Sequence, residues 1–274
     1  MTQAGPQGAA SQPLPFDPSV PNPARMWNYW IGGKDHFAAD REAAEQALEV
    51  MPSLPVIAQL VRRFLINTVH ELASEHGIRQ FLDLGTGLPT ADNAHDVAQR
   101  VAPDARIVYA DYDPVVLSHA RALLTSTPEG KTDYLQADLR DPEAILSAAA
   151  RTLDFSRPVA VLLLAVLHFI PDSDDPYGVI RRLMAGVPSG SYLVICHAAG
   201  DIEAEAVAEH ARRYNQRAAA QITPRSREQV ARFFDGLDMD ERGLVPLSEW
   251  FGASQPDTGK VSGLAGYCGI GRKR

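Results

Sequence analysis

Cysteine is nearly absent: Cys196 and Cys268 are the only two in 274 residues. That excludes a disulfide framework, and the pair lacks the spacing of a metal site. Each lies in a strand-like run, which predicts reduced thiols in a cytoplasmic protein. Long apolar runs are also missing. The longest, Val159 to Leu167, is nine residues, about half of what a membrane-spanning helix needs. The first residues carry neither a basic start nor an apolar stretch, so no secretory leader is expected. Positive charge is scarce too: 26 Lys and Arg face 34 Asp and Glu, a formal net charge of -8, and only the tail Gly271-Arg-Lys-Arg274 is basic. A surface that neutralises several phosphates needs grouped Lys and Arg, so neither nucleic acid nor membrane is an expected partner. Asp172, Asp174 and Asp175 form the one acid cluster and read as a solvated loop rather than a metal site.

What the chain does have is apolar content of 45%, enough for a sizeable core. Residues 1–24, rich in Pro, Gln, Gly, Ser and Ala, read as a flexible arm. Residues 25–78 read as a helical lead-in and lid, with helical runs at 41–50 and 54–76. In the second, Ile57, Leu60, Val61, Phe64, Leu65, Val69 and Leu72 recur at three- and four-residue spacing, and Gly77 stops the helix. From residue 79 to 274, strand-like runs near 80–84, 106–111, 131–136, 159–165 and 191–197 alternate with helical runs near 90–101, 114–125, 141–151, 176–186 and 201–221. Strict alternation predicts an α/β fold with a doubly wound, mainly parallel sheet. A helix over 226–237 and two closing strands, 243–247 and 264–271, complete seven strands with an antiparallel pair at the edge.

The most informative stretch is Arg79-Gln-Phe-Leu-Asp83-Leu-Gly85-Thr86-Gly87-Leu-Pro89-Thr90, where an apolar run ends in a carboxylate and turns through two glycines. Glycine there lets the backbone take positive φ and approach a ligand closely. A second run, Arg106-Ile-Val-Tyr-Ala-Asp111-Tyr112-Asp113-Pro114, places Asp111 24 residues past Gly87. That is where a nucleoside-binding α/β fold holds ribose hydroxyls. A third run ends in Ala137-Asp138-Leu139. Each of Asp83, Asp111 and Asp138 also suits a helix cap or loop acid, and Asp113 before Pro114 reads as the cap of the next helix.

These pieces, in this order, resemble the class I S-adenosylmethionine-dependent methyltransferases. Asp83-Leu-Gly85-Thr86-Gly87 matches the glycine motif, Asp111 the ribose acid and Asp138 the adenine-side acid. Leu163 to Ile170, including Ala165, matches the strand behind the methionine moiety, and Ser189 to His197 the next strand. The lead-in from Pro23 to Asp40 is similar to a bacterial S-adenosyl methyltransferase family long filed as a domain of unknown function. The chain departs from many members of the class in carrying Pro89 at a third glycine position, which stiffens the turn and removes a donor.

The resemblance implies a Rossmann-like fold, S-adenosylmethionine as cofactor and a small-molecule acceptor. Gly85, Thr86 and Gly87 would present backbone to the amino-acid end, with Asp83 facing its ammonium. Asp111 would take the ribose, Asp138 the adenine amino group, with Tyr112, Ala137, Leu139 and Ala165 along the cofactor. Trp27, Tyr29, Trp30 and Phe37 are candidate walls of the methyl pocket, or plain core packing. Lys34 and His36, after the Gly32-Gly33 pair, form a candidate gate, or a capped turn. His168, His197 and Tyr214 are the candidate catalytic groups, although a lone histidine in such a place is more often a hydrogen-bonded structural residue. A nicotinamide-dependent dehydrogenase would require glycine at 90, where the chain has Thr90. A cofactor-binding regulatory module without turnover is the alternative of another class.

Overall fold

The computed structural model describes residues 16–123, 125–216, 220–252 and 264–274. Parts of three expected segments, 1–15 of the arm, 124 of the run 114–125 and 217–219 of the run 201–221, lie outside the described residues.

The chain opens with α1 (Pro23–Trp30), α2 (Ala38–Leu48) and α3 (Leu54–Ser74). Helix α1 starts because Asn22 caps the Ala24 N–H at 2.8 Å and Pro23 occupies the first turn, where a missing N–H costs nothing. The expected boundary between arm and lead-in at 24/25 thus falls inside a helix. Phe16 is already seated, its ring tilted against Phe37 at 5.6 Å and packed on the Leu88, Val115 and Val116 cluster. The long helix α3 turns its apolar stripe, Phe64, Val69 and Leu72 included, into the same core as the sheet strands.

Strand and helix then alternate: β1 (Gln80–Leu84), α4 (Ala94–Val101), β2 (Arg106–Asp111), α5 (Pro114–Leu123), β3 (Lys131–Gln136), α6 (Pro142–Ala149), β4 (Ala160–Leu164), α7 (Pro176–Ala185), β5 (Tyr192–Ala198) and α8 (Ala204–Asn215). The tail holds α9 (Arg227–Ala231), β6 (Leu237–Met239), β7 (Val245–Pro246) and β8 (Gly266–Lys273). The expected helix 226–237 ends early: it passes into a 3-10 turn at Arg232–Phe234, and Leu237 starts a strand. The sheet runs β3-β2-β1-β4-β5-β8-β6, with the two-residue β7 pairing β8, so it has eight strands where seven were expected. β1 to β5 pair in parallel; β8 is antiparallel to β5, β6 and β7.

Strand order reverses between β1 and β4, the place where an open α/β sheet forms a crevice at its carboxyl edge. β1 and β4 are buried nearly throughout, as strands covered on both faces must be. Cys196 and Cys268 face each other across β5 and β8, both buried and unbonded. Among the described residues no helix is long and apolar enough to cross a membrane.

Candidate functional site

The crevice is assembled by register. Leu84 pairs with Ala110, and the Gly85 N–H donates to the Ala110 carbonyl at 2.8 Å, so the glycine turn leaves the sheet beside Asp111. The Gly87 N–H donates to Asp111 Oδ2 at 2.9 Å, and the Asp113 N–H to Asp111 Oδ1 at 2.9 Å. The two motifs, 24 positions apart in sequence, are thereby one unit. Both glycines are required, for different reasons. Gly85 (φ +68°) lies against Val166 from the tip of β4, where a Cβ would collide; Gly87 (φ +66°) faces open space.

Asp83 is buried at the end of β1, and burial pushes its carboxyl up to about 7, against the opposing pull of the Arg62 guanidinium. Thr86 Oγ1 stands 3.5 Å from it, the outer limit of a hydrogen bond. Arg62, on α3, was not singled out in the sequence. One nitrogen donates to the Ala91 carbonyl at 2.7 Å, while its Nε is buried without a partner among the described residues. Burial also raises the Asp111 carboxyl from its ordinary value, opposed by the backbone N–H groups it accepts. Tyr112, next along, is 70% exposed, unusual for a large aromatic side chain.

The remaining nucleoside candidates sit at the tip of β3. The Ala137 N–H donates to the Asp111 carbonyl at 3.0 Å, and Leu139 is buried. Asp138 is gripped by Arg140, whose Nε and Nη2 reach its two oxygens at 3.0 and 2.6 Å, holding the carboxyl below its ordinary range. Arg140 also reaches Asp174 at 3.3 Å. The acid cluster after Pro171 is therefore not merely solvated: Asp174 ties to the β3 tip, Asp172 to Arg225, and Asp175 caps α7 through the Gly178 N–H.

On the β4 side, Ala165 takes a left-handed conformation (φ +56°), a strained state for a residue with a side chain. Its N–H is tied to the Cys196 carbonyl at 2.8 Å. His168 follows in a 3-10 turn, its ring edge-on to His197 at 5.7 Å and beside Phe169 at 4.4 Å. Its Nδ1 is buried with no partner among the described residues, and burial together with His197 and Arg225 keeps the ring neutral, well below its ordinary pKa. Tyr214, on α8, lies 6.3 Å from Phe169 and 6.2 Å from His210; its hydroxyl is likewise buried and unpartnered, and burial raises its pKa. His210 is a further buried imidazole of this cluster that sequence reading passed over.

His197 differs. At 1% exposure it sits 3.0 Å from an Arg225 nitrogen, which can only donate, so Nε2 accepts and Nδ1–H donates to the Ala198 carbonyl at 2.8 Å. Neither nitrogen is left to handle a proton, and burial takes its pKa to about 3. Its place is structural.

The lead-in aromatics pair with one another and with α2, and Trp27 and Trp30 also pack against the main core. Trp27 and Trp30 meet edge-on at 6.1 Å, Trp30 reaches the Ala44 carbonyl at 3.4 Å, and Tyr29 donates to Glu45 at 3.0 Å beside His36. The Gly32-Gly33 segment is folded back onto α1: the Gly33 N–H donates to the Asn28 carbonyl, and Asn28 Oδ1 accepts the Asp35 N–H at 2.9 Å. His36 touches the Gly33 carbonyl at 3.1 Å, and Lys34 is exposed. This is the capped turn. The link from lead-in to crevice is instead Arg25, buried, bonded to both oxygens of Asp40 and 3.9 Å from Asp113 Oδ2. Asp113 caps α5 through the Val115 N–H at 2.8 Å.

Among solved structures, a DUF574-family protein from Streptomyces avermitilis MA-4680 is 41% identical over 94% of this chain and 99% of its own, with a TM-score of 0.89. A candidate methyltransferase from Thermobifida fusca YX is 39% identical over 93% of this chain and 96% of its own, with a TM-score of 0.84. An O-methyltransferase family protein from Burkholderia thailandensis, 16% identical over 93% of this chain and 64% of its own, with a TM-score of 0.50, shares the fold alone. No curated protein matches the chain. The family model for S-adenosyl methyltransferases matches residues 9–274, and the chain belongs to that family, with S-adenosylmethionine as its cofactor.

Proposed function

We propose that the protein transfers a methyl group from S-adenosylmethionine to a small-molecule acceptor held between the tips of β4 and β5 and helix α8. The observation that carries this reading is the joined Asp111–Gly87 unit with open space over Gly87, next to buried polar atoms that no described residue satisfies. Unpaired buried polar groups are rare in folded proteins unless a ligand or water completes them.

The residues fit the cofactor's chemistry. Asp111 uses one site on each oxygen for backbone N–H groups, and a carboxylate has about four such sites, leaving room for ribose hydroxyls. Asp83 suits the ammonium and the orphaned Arg62 Nε the carboxylate of the amino-acid end. Gly85, Thr86 and Gly87 supply backbone there. Tyr112 is placed to cover the nucleoside face, with Ala137 and Leu139 beside the adenine and Asp138, oriented by Arg140, toward its amino group. When bound, S-adenosylmethionine supplies an electrophilic methyl on a sulfonium and a stable thioether leaving group. The chain's task is then to orient, desolvate and manage one proton. His168, neutral and with Nδ1 free, accepts a hydrogen bond from the acceptor's O–H or N–H, and Tyr214 steadies the same group. The lead-in holds the nucleoside side through Arg25, and Trp27, Tyr29, Trp30, Lys34 and His36 close over the crevice only if the turn at Gly32-Gly33 opens.

The test is label transfer from methyl-labelled S-adenosylmethionine to candidate metabolites, together with hydrogen exchange of residues 25–40 with and without cofactor. Cofactor binding without label transfer to any acceptor would leave a binding module, not an enzyme.

A further inference from the structure

A second site lies at the opposite, amino-terminal edge of the sheet. A cavity of about 140 Å³ opens there among His76, Arg79, Arg157, Gly190, Tyr192 and Arg272. It has room for several waters, or one tetrahedral oxoanion with part of its hydration. Three arginines from segments far apart in sequence converge on it, in a chain of net charge -8. One of them belongs to the basic tail, which the cofactor crevice does not use.

The walls are built, not incidental. Gln80, buried at the start of β1, donates to the Asp154 carbonyl at 2.8 Å and to the Arg157 carbonyl at 3.3 Å, and accepts the Asp154 N–H at 2.6 Å, fixing the turn that carries Arg157. Tyr192 pairs in register with Arg272, and the Gly190 N–H donates to the Lys273 carbonyl at 2.9 Å, fixing the third arginine against Gly190. His76 packs on Tyr192 at 5.3 Å. Arg79 spends one nitrogen on the Ala73 and Ile78 carbonyls and lies 3.9 Å from Asp104. The side chains of Arg157 and Arg272 make no hydrogen bond or ion pair within 4 Å among the described residues, although their backbones are bonded. The acids nearest in effect, Asp154 and Asp238, are held by Ser156 and Arg274.

We infer that this cavity binds a phosphate dianion, free or as the monoester of a small metabolite. A carboxylate offers two oxygens, whereas the two open forks of Arg157 and Arg272 with the remaining Arg79 nitrogen match the three or four of a tetrahedral oxoanion, and arginine binds phosphate in paired, charge-assisted hydrogen bonds. The site is a strand length, about 16 Å, from the carboxyl edge, so its occupancy does not depend on the cofactor reading.

Calorimetry and amide chemical shifts of the full chain would be followed on adding inorganic phosphate and, separately, glycerol phosphate, against sodium chloride at matched ionic strength. Saturable binding is expected, with shifts at His76 to Gln80, Arg157 and Gly190 to Tyr192. Tighter binding of the monoester identifies an esterified ligand; equal binding identifies free phosphate. The double variant Arg157→Gln and Arg272→Gln should lose at least about tenfold in phosphate affinity while keeping its affinity for S-adenosylmethionine, which shows that it folds. No saturable signal up to about 10 mM phosphate, weaker than the millimolar range, would overturn the proposal. So would undiminished binding by the double variant.

Discussion

Two buried clusters flank the sheet's carboxyl edge, built from the same materials and finished in opposite ways. At Arg225, 1% exposed, all five N–H groups are used: on Asp172, the Leu167 and Ile170 carbonyls and His197 Nε2, with the guanidinium also over Tyr177 and Phe233. At Asp83, Arg62 and Asp113 the polar atoms are as deeply placed, yet Arg62 Nε and Asp113 Oδ2 have no hydrogen-bond partner among the described residues. A satisfied cluster ties the loops after β4 to the segment before α9. On the proposed function, the unsatisfied one lies on the cofactor's side of the crevice.

The widest break in that symmetry is expected from Arg225→Met. It strands two carbonyls and His197 Nε2 in the interior and should lower stability by about 3 kcal/mol or more in urea unfolding. The cofactor affinity of the folded fraction should stay within about twofold, because none of those groups is assigned to the cofactor. Asp111→Ala should do the reverse. Its unfolding midpoint should shift by the equivalent of about 1 kcal/mol, while calorimetry records cofactor binding weakened about 10- to 100-fold, the worth of one or two charge-assisted hydrogen bonds.

Finer resolution comes from the two glycines. Gly85→Ala combines a positive φ with a collision against Val166 and should destabilise the fold by about 2–3 kcal/mol. Gly87→Ala has only the φ term, about 1 kcal/mol, and should be felt instead in cofactor affinity. Equal losses from both would remove the distinction between a packed glycine and an open one.

A pH dependence is also expected through Asp83. With its carboxyl raised to about 7 in the folded protein, against 3.8 ordinarily, the folded state binds the extra proton. Without cofactor, stability should therefore fall as pH rises from about 4 to about 7. An ammonium placed beside the carboxylate favours its ionised form, so cofactor affinity should rise about tenfold between pH 6 and 7.5, with proton release visible as buffer-dependent binding heat. Asp83→Asn should flatten both profiles.

The sequence made the open cluster legible and left the closed one invisible. Asp83, Gly85, Gly87 and Asp111 stand at the ends of strands whose alternation is plain, and register alone carries them together. Arg225 meets partners 28 to 58 positions away, in loops without a periodic pattern. For His197 the catalytic and structural readings both stayed open for the same reason: nothing in its own strand announces the guanidinium that occupies it. Helix α1 did carry a local signal, Asn22-Pro23 followed by an apolar face, which a reading focused on its aromatics passed over. The Arg25–Asp40 pair, 15 positions apart, ties α1 to α2, and Arg25 then lies 3.9 Å from Asp113 beyond the tip of β2.

That pair has a practical side. Because α3 shares one interior with the strands and Arg25 reaches Asp113, a shortened version starting at β1 would bare the sheet's inner face and lose the prop under the helix after β2. A fragment meant to keep that interior closed therefore has to start ahead of residue 22, and protein engineers wishing to graft it onto another scaffold should carry its first three helices along.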